Sequence, residues 1–139
     1  MRYAKILLIL LLPFSSIASD ESKESKDYEK KIDYCRELSF REINKIEDPY
    51  FNSLDDRHKG LLIGSLYFKA MDNCYLYEEM QYFRYVINSD DKEGMKILKI
   101  ISSPLEIGTL DVKEIERLSK TDMFSTPFDH WKLIDKLGL

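Results

Sequence analysis

The stretch Leu61-Leu62-Ile63-Gly64-Ser65-Leu66-Tyr67-Phe68-Lys69-Ala70-Met71 is apolar almost all the way round a helical wheel. A helix without a polar face has neighbours on every side, so this segment predicts the central helix of an all-α fold. A strand is the poorer account at that length. Gly60 and Gly64, four apart, either let another helix approach closely or cost about 1 kcal/mol each. Upstream, Ser53 is the expected cap, with Asp55 and Asp56 in a first turn where acids favour the helix dipole.

Beyond Asp72-Asn73-Cys74 the pattern resumes over Tyr75–Ile87. Its aromatic residues suit a strand, but alternation fails at Glu79 and Gln81. Leu76, Met80, Phe83 and Ile87 are apolar at all four positions of a helical stripe, which is therefore the expected core face. Tyr75, Tyr82 and Val86 form a second stripe about 100° round, and Tyr85 stands nearly opposite the first, beside Glu78 and Gln81. Tyrosine joins apolar area to a polar tip and is enriched where proteins meet. The candidate interaction surface is therefore Tyr75, Tyr82, Tyr85, Glu78 and Gln81. For Tyr75 and Tyr82, partial burial under neighbouring helices is the commoner outcome, which leaves Tyr85 as the best contact.

Towards the N-terminus, Tyr28, Ile32, Cys35, Leu38, Ile43 and Ile46 share one helical stripe, which Asp48-Pro49 is expected to end. Towards the C-terminus, Asp90 with Glu93 predicts a capping box before Met95, Leu98 and Ile101, with Ser102-Ser103-Pro104 as the stop. Asp111 with Glu114 repeats that pattern, and Leu110 with Ile115 adds a hydrophobic staple. Thr126-Pro127 then opens a last helix that presents Phe128, Trp131 and Ile134 on one face. The expected fold is a single small bundle of five to six helices over residues 28–139.

Residues 1–19 have the pattern of a cleaved signal peptide: Arg2 and Lys5, an unbroken apolar run from Ile6 to Leu12, Pro13, then small residues. Cleavage fits best after Ala18, with Ser19 as the near alternative. The run of 7 residues is short of the roughly 20 that a membrane span needs. Residues 20–27 are charged and expected to form a flexible leader. Removing Arg2 and Lys5 lowers 21 bases to 19, against 25 acids, for a net charge of −6. An exported chain is periplasmic or secreted, and there Cys35 and Cys74 meet oxidising conditions, so they are expected to pair. Closing that loop of about 40 residues stabilises a fold by roughly 4 kcal/mol in the chain-entropy account.

The acid excess argues against a nucleic-acid binder that works by neutralising phosphates. Catalytic sets are scarce. The chain has 2 histidines, His58 and His130, and no Gly-x-Ser-x-Gly elbow. Asp55 and His58, three apart, can pair on one helix face, chiefly as a surface ion pair. Metal binding lacks a His-Glu-x-x-His or four-cysteine pattern. A calcium loop aligned on Gly94 puts Ile100 where a bidentate Glu belongs. No cofactor is implied. The leading expectation is a non-enzymatic protein that binds another protein, which the acidic charge favours as a basic one. An inhibitor, an immunity-type neutraliser of a toxin and an accessory subunit all fit that description. The alternatives are a carrier of a small apolar ligand and a secreted hydrolase built on His58 and nearby carboxylates.

Overall fold

The computed structural model describes residues 22–101 and 109–139. Among them are six helices and no strand: α1 (Lys23–Leu38), α2 (Pro49–Ser53), α3 (Asp56–Ser89), α4 (Lys92–Ile101), α5 (Val112–Ser119) and α6 (His130–Leu137). The all-α bundle is as expected. The expected signal peptide and the Ser102-Ser103-Pro104 stop lie outside the described residues.

The central helix is longer than its two sequence segments suggest. α3 runs unbroken for 34 residues, about 50 Å, straight through Asp72-Asn73-Cys74. None of those three residues is a helix breaker, and the Tyr75 hydroxyl donates to the Asp72 carboxylate one turn back at 2.9 Å. α3 packs against α1, α4, α5 and α6, so it is central in the expected sense. Its cap is Asp55, which accepts from His58 N at 2.9 Å, and not Ser53, which ends α2. A Cβ at Gly60 or Gly64 meets nothing within 4 Å, so neither glycine serves a close approach.

α1 begins at Lys23, inside the expected leader, because the Ser22 hydroxyl caps it by accepting from Ser25 N. It stops at Leu38, well before Ile46. The chain from 41 to 48 is irregular instead, held by tertiary bonds that a continued helix could not make. Arg41 donates to the carbonyls of Met123, Thr126 and Pro127 at 2.7, 2.9 and 3.3 Å, and its own carbonyl accepts from Asp129 N. Glu42 bridges Lys132 and Lys136 of α6, and these hydrogen bonds hold its carboxyl down at about 2. Ile43 and Ile46 still reach the core from this strap. Pro49, expected as a stop, is a start: Asp48 caps α2, accepting from Tyr50 N and Phe51 N.

Two apolar cores form on α3. The larger joins Leu62, Ile63 and Leu66 to the strap, α2, α5 and α6 through Ile43, Phe51, Ile115, Phe124, Phe128 and Leu133. The smaller gathers Tyr28 of α1 with Tyr82 and Val86 of α3. Leu98 of α4 packs against it. Between the two lies the disulfide Cys35–Cys74, Cα–Cα 6.1 Å, with Cys35 fully buried.

The C-terminal starts shift by a few residues. Asp90 turns the chain in the left-handed region (φ 53°), so Asp91 caps α4, accepting from Glu93 N and Gly94 N. Asp111 caps α5 as expected and Leu110 and Ile115 are both buried, but Glu114 pairs with Arg117 in place of closing a capping box. α6 is capped by Asp129, not Thr126, because Arg41 ties the 123–127 turn down by its carbonyls. Leu133 therefore fills the core beside Phe128, and Trp131 points outward.

Candidate functional site

The second half of α3 presents three faces, and they do not divide as its sequence suggests. Tyr75, Glu79, Tyr82 and Val86 lie within about 60° of one another and face α1. Tyr28 stacks on Tyr82 with ring centroids 5.5 Å apart and meets Tyr75 edge-on at 5.7 Å. Tyr82 is 6% exposed and Tyr75 half-buried, so neither is an open contact. Tyr85 is half-buried against the same cluster. Three of the expected interaction residues thus belong to the smaller core.

Glu79 is the polar member of that core, 8% exposed, and accepts a hydrogen bond from the Tyr28 hydroxyl at 3.0 Å. Burial pushes its carboxyl above the ordinary range, the Tyr28 bond draws it back, and the Asp72 charge adds to the rise. The Tyr28 hydroxyl is itself pushed up by burial and by the Glu79 charge.

The expected core stripe is the open one. Leu76, Met80 and Ile87 are 47%, 55% and 65% exposed, with Phe83 half-buried between them. Tyr77 beside them is 71% exposed. A shallow cleft of about 320 Å³ runs along this stripe, lined by Met80, Phe83, Arg84, Ile87 and Asn88. The reversal has a geometric cause. Cys74 stands about 150° round the helix from the centre of the stripe, so α1, bonded to Cys74, covers the tyrosines and cannot reach Met80. Helical phase relative to Cys74 is the sequence signal that could have found this face.

On the third face Glu78 and Gln81, the remaining expected residues, line a groove of about 560 Å³ between α1 and α3, with Tyr34, Tyr77, Lys30 and Lys31. The Lys31 ammonium lies over the Tyr34 ring at 4.9 Å. Groove and stripe join through Tyr77. The open apolar stripe thus lies beside a groove lined mainly by charged side chains and two tyrosines.

A separate polar arrangement sits at the start of α3. His58 Nδ1 lies 2.8 Å from both Asp55 carboxylate oxygens, and Nε2 is 2.9 Å from the Thr109 hydroxyl. The His58 backbone N–H, then its ring, hold the Asp55 carboxyl below its usual range. This is the order carboxylate, imidazole, hydroxyl in which a base takes a hydroxyl proton. Asp55 is exposed, and the hydroxyl comes from Thr109, which sequence spacing could not connect to His58. The other histidine, His130, stacks on Tyr67 at 4.0 Å, and burial lowers its pKa.

Among the described residues no helix is long and apolar enough to cross a membrane, and no cluster of three His, Cys, Asp or Glu side chains could hold a metal ion. No protein-family model matches the chain, and no curated protein or solved structure matches it either.

Proposed function

We propose that this chain is an exported helical protein that works by binding another protein chain through the outer face of α3. The observation that carries this reading is the exposure of Leu76, Met80 and Ile87 along one side of a helix whose tyrosine face packs under α1. An unbroken apolar stripe in water is unfavourable, and contiguous exposed apolar surface marks interaction sites. The cysteine pair and the pattern of residues 1–19 support an oxidising destination. The test is affinity capture from the native exported fraction with wild type and with Met80→Glu. A protein recovered in stoichiometric amount by wild type and lost by the variant supports the reading. No such partner, combined with strictly monomeric behaviour, counts against it.

The Asp55–His58–Thr109 alignment favours a second reading, acyl or ester hydrolysis with Thr109 as nucleophile and His58 as base. Replacing His58 by Ala and Thr109 by Ala separates the two readings. Esterase turnover that falls with both changes favours hydrolysis, and partner capture that survives both favours binding.

A further inference from the structure

We infer that the partner of this α3 face is a second copy of the chain, paired antiparallel about a two-fold axis between Met80 and Phe83. The inference rests on the reading of that face as a binding surface and names what covers it. The stripe Leu76, Met80, Phe83, Ile87 is spaced four, three, four, so it reads the same in both directions. Turned about its midpoint, it sets Leu76 against Ile87 and Met80 against Phe83, apolar on apolar throughout. A two-fold interface requires that self-complementarity.

The flanks agree. Arg84 is exposed beside the stripe and forms no ion pair or hydrogen bond among the described residues. In this register it falls within about 3 Å, along the axis, of Tyr77 on the second copy, where a guanidinium can lie on an exposed ring. The ends agree as well. α3 stops two residues past Ile87, at Ser89, and Ser89 falls opposite Cys74 of the other copy. The larger core, built on the first half of α3, therefore lies beyond the end of the opposing helix. The exposed parts of Leu76, Tyr77, Met80, Phe83, Arg84 and Ile87 supply on the order of 500 Å² per copy, so about 1,000 Å² in all, the lower limit for a specific interface. Such an area makes a weak, concentration-dependent dimer.

Sedimentation of the full chain, disulfide intact, tests this. The expected result is an apparent mass near twice the chain's at about 100 μM, falling towards one chain at about 1 μM, and monomer at both for Met80→Glu. Register is tested independently of that variant's folding. Chains carrying Leu76→Cys and Ile87→Cys should cross-link when mixed, and neither should do so alone, since like positions lie about 16 Å apart along the axis. A wild-type monomer at about 100 μM, a dimer that persists in Met80→Glu, or cross-linking within either single variant would overturn the inference. Should wild type stay monomeric while Met80→Glu still loses a captured partner, the binding face stands and the second copy is excluded as its occupant.

Discussion

At the scale of single residues, Glu79 is the group whose chemistry conflicts most with its position. An ionised carboxylate under α1 has one protein hydrogen bond, from Tyr28, where water would offer several. Because its pKa is raised in the folded state, the carboxyl favours folding while protonated and opposes it once ionised. Its stabilising contribution is therefore fully present below the unfolded value, about 4.3, and is lost as pH rises through the raised folded value. Glu79→Gln keeps an oxygen for Tyr28 to donate to and removes the charge. Its thermal midpoint should exceed that of wild type by a few degrees at pH 8 and match it near pH 3.5. A variant less stable than wild type at pH 8 would mean that the ionised form is better solvated in place than its burial implies.

At the scale of elements, glycines in helices separate close approach from mere helix weakening. A Cβ at Gly94 would stand 2.6 Å from the Val86 Cγ2 and 2.8 Å from the Asp91 Oδ2, so α4 can lie against α3 only with glycine there. Gly94→Ala should cost roughly 1–3 kcal/mol through overpacking. Gly64→Ala, in open space inside α3, should gain up to about 1 kcal/mol. Denaturant midpoints of the two variants check the opposite signs. The sequence pattern carried helix type well, since the apolar run from Leu61 to Met71 has no other good account. Phase and boundaries were harder. Ile43 and Ile46 keep helical spacing, yet Arg41 and Glu42 hold them in a strap through partners more than 80 residues away. The stripe at Leu76, Met80, Phe83 and Ile87 was legible as a stripe. Its exposure depended on where Cys74 anchors α1, and Thr109 depended wholly on the tertiary fold.

At the scale of the whole molecule, α3 is a shared spine with unequal cores at its two ends. The larger draws on segments from Ile43 to Leu133 and is cross-braced by the strap, by Arg117 bonded to Asp48 at 2.8 Å, and by the Lys69–Glu116 pair. The smaller has few fully buried side chains, and one of the groups inside it is Glu79. With a three-ring cluster and a buried carboxyl in place of a large apolar core, α1 is expected to depend on the Cys35–Cys74 bond for its hold on α3. Cutting it restores entropy to a denatured loop of about 40 residues, worth about 4 kcal/mol in the chain-entropy account. The loss should fall unevenly. With Cys35→Ser and Cys74→Ser, hydrogen exchange should accelerate first in α1, α4 and the second half of α3, while amides around Leu62, Leu66 and Leu133 keep their protection and unfold at a second, later transition. A single transition with uniform loss of protection would show instead that the spine couples both cores into one cooperative unit, and that α1 is held by packing and not by the sulfurs.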